Sequence, residues 1–157
     1  MGGTRWLDAE EQRAWRAFLE ATQLLFEEID GQLQRDAGLS HADYEILVRL
    51  SEAPDRRLRM SELAVGTLFS RSRLSHAVGR LEAAGLVVRA KCRSDGRGTF
   101  AALTDEGFGV LAAAAPGHVE TVRRALLDPL APAQVRQLRR ISEAVRDEIG
   151  SRPAVPA

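Results

Sequence analysis

Residues 60–107 read MSELAVGTLFSRSRLSHAVGRLEAAGLVVRAKCRSDGRGTFAALTDEG, and the order of patterns within them decides the fold. Ser70 is an N-cap residue type, whose hydroxyl accepts from an otherwise unpaired backbone N–H at a helix start. Beyond it, Leu74, Ala77, Val78 and Leu81 recur at spacings of three and four, which predicts a helix with one apolar face. Arg71, Ser72, Arg73, Ser75, His76 and Arg80 fill the rest of its surface. Gly85 supplies the left-handed residue that ends it. A shorter helix pattern comes first. Ser61 is expected as its cap, Leu63, Ala64 and Leu68 as its inward face, and Thr67-Leu68-Phe69 as the turn between the two helices.

After Gly85, Leu86-Val87-Val88-Arg89-Ala90-Lys91 reads as a strand and Thr99-Phe100-Ala101-Ala102-Leu103 as its antiparallel partner. Cys92 to Gly98 carries the Gly and Asp content of a hairpin tip. Between Ser70 and Gly98 stand seven basic residues, Arg71, Arg73, Arg80, Arg89, Lys91, Arg93 and Arg97, against Glu82 and Asp95 alone. That surplus sits in a chain of zero net charge. Two helices followed by a basic hairpin predict a winged helix-turn-helix, which lays one helix in a major groove and the hairpin on the neighbouring minor groove.

The run Ser70-Arg71-Ser72-Arg73-Leu74-Ser75, then Arg80-Leu81-Glu82, Gly85-Leu86-Val87, Asp95-Gly96-Arg97 and Leu103-Thr104-Asp105-Glu106-Gly107, resembles the DNA-binding core of the MarR family of bacterial transcription regulators. The order D-x-R, short strand, L-T-x-x-G is the specific part of that likeness, which extends over nearly the whole chain. The resemblance implies that Asp95 orients Arg97 for a narrow minor groove, where the potential is most negative. It also implies that Ser72 and Ser75 contact phosphates or base edges. Arg73 and His76 are the candidates for base readout, since Arg binds guanine O6 and N7 in a bidentate manner. Arg71 and Arg80 are expected on phosphates. The DNA-contacting set is thus Ser70, Arg71, Ser72, Arg73, Ser75, His76, Arg80, Arg93, Asp95 and Arg97. Family members often carry a second Arg between the wing Asp and Arg. Gly96 stands there in this chain, which implies a more flexible wing with one phosphate contact fewer.

Working outward, Asp8-Ala9-Glu10-Glu11 is a capping-box start. It predicts a long first helix, roughly Ala9 to Ala37, ended by Gly38. Trp15, Phe18, Leu19, Thr22, Leu25, Phe26, Ile29 and Leu33 give it more apolar face than a small winged domain can cover. A partner helix is the expected remedy, and the resemblance implies that the first and last helices form a homodimer interface. Leu19, Phe26, Leu138, Ile141 and Val145 are its candidates. Ser40 starts a second helix with Tyr44, Leu47, Val48 and Leu50 inward, Ser51 to Asp55 is a turn, and Arg57 to Met60 an edge strand pairing with the wing. Thr104 caps a helix whose face runs through Phe108, Leu111, Ala115, Val119, Val122 and Leu126, with Pro116 kinking rather than ending it. After Pro129 and Pro132 a last helix begins near Ala133. Its residues Val135, Leu138, Ile141, Val145 and Ile149 form a coiled-coil type of seam, and Ser151 to Ala157 is expected to be a disordered tail.

The fold expected is mainly α with a small β-wing, one domain over 1–157. Residues 40–104 make its winged lobe, and 7–37 with 105–150 its dimerisation lobe. Acidic residues outnumber basic ones eight to three between Leu7 and Asp36, so a zero net charge is no argument against nucleic acid: the local field is what attracts phosphate. A hydrophobic content of 45% is ordinary for a globular protein. With no membrane span or signal-like apolar run, and a single Cys, the expected place is a reducing cytoplasm.

No nucleophile–base pair, phosphate loop or metal-ligand cluster appears, so neither catalytic nor metal residues are expected, and no cofactor. Some relatives sense peroxide through a Cys near the start of the first helix, and none stands there in this chain. Cys92 instead lies beside Lys91 and Arg93, neighbours of the kind that favour a thiolate, but the reading preferred for it is a half-buried bystander and not a redox sensor. The resemblance further implies a small aromatic or anionic effector that weakens DNA binding, with Trp15, Phe18, Tyr44 and His118 as candidate lining. The function expected is therefore a dimeric, ligand-responsive repressor on a pseudo-palindromic operator in double-stranded DNA. The alternatives are a protein-binding adaptor, or an architectural protein blind to sequence.

Overall fold

In the computed structural model, residues 3–91 and 98–150 are described. Arg93, Asp95, Arg97, Cys92 and the expected tail lie outside them. Helix α1 (Ala9–Ala37) starts at Asp8, whose carboxylate accepts from the Glu10 and Glu11 N–H groups, while Glu11 accepts from Asp8 N–H. It ends at Gly38 with φ +65°, and the Gly38 N–H returns to the carbonyls of Leu33 and Gln34. Helix α2 (His41–Glu52) repeats the device with Ser40 and Asp43. It runs two residues into the expected turn, through Ser51 and Glu52.

A 3-10 turn (Pro54–Arg56) leads into β1 (Arg57–Arg59), α3 (Met60–Thr67), α4 (Arg71–Ala83), β2 (Val87–Lys91), β3 (Thr99–Leu103) and α5 (Asp105–Val122). The sheet is antiparallel in the order β1-β3-β2, with Leu58 opposite Ala101 and Arg89 opposite Ala101 on its other side. The chain divides into two compact units, Met1–Thr121 and Val122–Ala157. The core of the first is built by Leu33, Ile46, Leu47, Leu50, Leu63, Leu74, Val78 and Val87, each sealed from solvent. The second holds a π-helical turn (Arg123–Leu127) and α6 (Pro132–Gly150), a 19-residue helix with no buried residue.

Three expectations need correction. Helix α3 begins two residues earlier than a Ser61 cap allows, because Glu62 reaches back to accept from the Arg59 N–H at 3.0 Å and so caps the first turn. Leu68 does not face inward. It takes φ +57° and ψ +24° to end α3, a left-handed conformation costing an L-residue roughly 1–2 kcal/mol. That reversal carries its side chain out of the α3 stripe and leaves it 84% exposed. Along α5 the buried face is Gly107, Leu111, Ala114 and Thr121, whereas Phe108 and Val119 of the expected stripe are exposed. Phe108 lies instead under the Arg56 guanidinium, 4.0 Å from its ring centre. The helix does continue through Pro116 to Val122.

The apolar residues assigned to a partner are exposed where they stand. On α1 these are Trp15, Phe18, Leu19 and Phe26, whereas Ile29 and Leu33 of the same stripe are buried within the chain; on α6 they are Ile141, Val145 and Ile149, with Leu138 half-buried. No helix among the described residues is long and apolar enough to cross a membrane.

Candidate nucleic-acid interface

The periodicity of α4 sorts its side chains onto two faces. Leu74, Ala77, Val78 and Leu81 are buried against the lobe, and Ser70, Arg71, Ser72, Arg73, Ser75, His76 and Arg80 are exposed. The Ser70 hydroxyl accepts from the Arg73 N–H at 3.2 Å, so the helix opens where the first arginines stand. N-terminal residues of such a helix reach furthest into a groove. The Arg73 guanidinium carbon sits 4.2 Å from the centre of the Phe69 ring, a cation–π contact that ties the side chain back to the turn before α4.

Arg80 behaves differently from the others. Its Nη2 donates to Asp43 Oδ1 at 2.8 Å, and the Asp43 side chain is only 11% exposed. Asp43 Oδ2 in turn accepts from the Ser40 hydroxyl at 2.7 Å. Arg80 therefore braces α4 against the N-terminus of α2, and the phosphate contact expected of it competes with that bond.

Beside this brace lies a cleft of about 790 Å³, bounded by Phe26, Asp30, His41, Phe69, Arg73 and His76 among others. A second cleft of about 420 Å³ runs between α4 and the sheet, with Arg71, Ser75 and Arg89 on its walls. Both open onto the exposed side of α4.

Of the four residues expected around an effector, the structure brings two together. The His118 ring centre lies 4.4 Å from that of Tyr44 and 6.5 Å from that of His41, which in turn lies 5.1 Å from Phe26. Trp15 and Phe18 stack on each other at 6.4 Å, half exposed. Phe18 is eight residues from Phe26 on α1, roughly 12 Å of helix, so that pair does not reach the cluster. His41 is the member sequence reasoning missed. It had no signal beyond its place after an N-cap. The Nδ1 atoms of His41 and His118 are buried, and neither has a hydrogen-bond partner among the described residues.

Burial, and then the neighbouring charge of His41, lower the His118 pKa below the ordinary 6.5, and burial raises that of Tyr44. A His held neutral in the fold binds its proton more weakly there than when unfolded. Stability therefore rises with pH between the folded value and 6.5, and falls on acidification through that window. Thermal melts between about pH 7.5 and 5.5 should show the midpoint dropping with pH, and His118→Gln should flatten that slope. Parallel profiles for the two proteins would remove His118 as the cause.

The sequence matches the model of the MarR family over residues 37–98. No curated protein matches the chain. Among solved structures it is similar to Sco3205, a MarR family transcriptional regulator from Streptomyces coelicolor in complex with DNA. Identity is 52% and the TM-score 0.92, over 98% of this chain and 95% of that one. Similarity to AbsC, a MarR family transcriptional regulator from the same organism, stands at 45% identity and TM-score 0.90, over 95% of this chain and 100% of that one. The PcaV transcriptional regulator from Streptomyces coelicolor, in complex with its natural ligand, shares the fold at 22% identity and TM-score 0.72, over 94% of this chain and 98% of that one.

Proposed function

Because this chain belongs to the MarR family of transcriptional regulators, we propose that it is a homodimeric repressor that reads a pseudo-palindromic operator with α4 and the wing. The observation that carries this is the exposed polar face of α4, Ser70 to His76, backed by a buried apolar one. Arg73 and His76 read base edges; Arg71, Ser72 and Ser75 hold the backbone. Arg93, Asp95 and Arg97 act from the wing. The likeness to a relative solved with DNA supports the reading. In a dimer the two α4 helices meet half-sites about 34–36 Å apart. Residues 40–104 are the reading lobe, and 7–37 with 105–150 the dimerisation lobe.

Relief of repression is assigned to a small aromatic or anionic effector beside the Tyr44, His41 and His118 rings, where the two buried imidazole Nδ1 atoms lack a hydrogen-bond partner among the described residues. Such an effector acts by population shift, through preferring the arrangement that does not fit DNA.

Fluorescence anisotropy on the chain's own upstream intergenic DNA, beside a scrambled duplex and at several salt concentrations, tests the reading. Tight binding lost on scrambling is expected, with Arg73→Ala weakening it by about 10- to 100-fold, the worth of one bidentate Arg–guanine contact. Equal weak binding to both duplexes would leave only phosphate attraction. No binding at low salt would sink the DNA reading.

A further inference from the structure

Arg89 belongs to the basic surplus of the central stretch, yet its guanidinium is turned onto the protein. Its Nη2 donates to the Ser75 carbonyl of α4 at 2.6 Å. That oxygen has a second lone pair beyond the one its helix uses. The Arg89 N–H donates to Glu82 Oε1 at 3.1 Å, and Nε stands 3.6 Å from Glu82 Oε2. Nε itself is sealed from solvent and has no hydrogen-bond partner among the described residues, so its link to Glu82 is an ion pair and not a hydrogen bond. The fork lies over Gly79, with Nη2 3.7 Å from where a Cβ would stand, so a side chain larger than alanine there would push it off. One residue of β2 thus contacts α4 at two places about two turns apart, Ser75 through its guanidinium and Glu82 through its backbone N–H and an ion pair.

We propose that Arg89 is a positioning residue that locks the wing strand to the recognition helix, so that the two DNA-reading elements move as one body, and that it does not itself hold a phosphate. This rests on the DNA-binding reading above. The reason is geometric. β2 leads into the wing tip and α4 carries the base-reading side chains; α4 is attached to the core by its apolar face, β2 by Val87 and its ladder to β3. The planar guanidinium of Arg89 bridges them, with one hydrogen bond to the Ser75 carbonyl and an ion pair to Glu82, and a point charge on a flexible stem fixes such a bridge less well.

Arg89→Lys separates the two roles, because Lys keeps the charge that a phosphate contact and its salt slope need but not the planar guanidinium that bridges Ser75 and Glu82. Arg89→Lys and Arg89→Met are both expected to lower affinity for the native fragment by about tenfold and to reduce the native-to-scrambled ratio. The slope of log affinity against log salt should stay as it is. A slope smaller by about 0.9 in Arg89→Met, restored in Arg89→Lys, would mark a phosphate contact and overturn the proposal.

Amide hydrogen exchange of the free full chain gives a readout that needs no DNA. Faster exchange confined to residues 75–91 in Arg89→Lys, with the core of α2 and α1 unchanged, is expected. Unchanged exchange there would overturn the clip. If the wild-type chain fails to bind its own upstream DNA while the exchange changes as expected, the DNA reading falls and the clip stands.

Discussion

Replacing Gly107 by alanine is expected to lower the stability of the first unit by about 3 kcal/mol or more, far beyond what one methyl normally costs on a helix. A Cβ at this position would stand 2.1 Å from the Leu86 carbonyl oxygen, 2.9 Å from its carbon and 2.8 Å from Leu103 Cδ1. Two of those atoms are backbone and cannot rotate away. The same carbonyl accepts from the Thr104 N–H at 3.1 Å, and the Thr104 hydroxyl both donates to Gly85 O at 2.8 Å and accepts from the Gly107 N–H at 2.9 Å. Moving α5 outward to admit the methyl would break this junction between β2, β3 and α5. Gly109 is the internal control, with nothing within 4 Å of its Cβ site. Gly109→Ala is expected to stabilise by about 0.5–1 kcal/mol through helix propensity alone. Circular-dichroism melts should place Gly107→Ala roughly 6–12 °C below wild type and Gly109→Ala slightly above it. A Gly107→Ala midpoint equal to wild type would show that the close approach is relieved without cost.

Placing carboxylates on the apolar seam of α6 should abolish self-association while leaving each chain folded. Ile141 and Val145 are 62% and 52% exposed, one turn apart on a helix with no buried residue. A contiguous apolar stripe left exposed along a 19-residue helix marks a surface for a partner. Ile141→Glu with Val145→Glu would place two unpaired charges in any interface built there, at several kcal/mol each. The dimer dissociation constant is expected to rise by at least about a thousand-fold, equivalent to roughly 4 kcal/mol. Sedimentation at micromolar concentration reads this directly. Both positions are exposed, so the melt of the first unit should hardly move. A wild-type chain that sediments as a monomer would end the dimer reading; a variant that stays dimeric would move the interface off α6.

Local chemistry was legible in the sequence because its partners lie within a few residues. The capping boxes at Asp8/Glu11 and Ser40/Asp43, the left-handed glycines at 38 and 85, and the split of α4 into a buried and an exposed face each follow from interactions at spacings of two to four. The order of those elements and the Leu103-Thr104-Asp105-Glu106-Gly107 motif carried the fold.

What stayed hidden depends on groups that meet only after the chain has closed. Arg80 looks like any basic residue on a surface helix until Asp43, 37 positions earlier, is found 2.8 Å from it. His41 and His118 have no sequence relation, yet their rings come to 6.5 Å. The stripe expected along α5 began at Phe108. Periodicity says that a helix has an apolar face, while the angle at which it crosses its neighbours selects which of two adjacent stripes is covered. Here Gly107 on Leu86 sets that crossing, and Phe108 is left outside. The sequence by itself determined the elements, their caps and the basic face, because those are short-range matters of geometry and charge. Tertiary structure alone decided which arginines remain open to a partner and which brace the protein, because that depends on distances between segments that no spacing encodes.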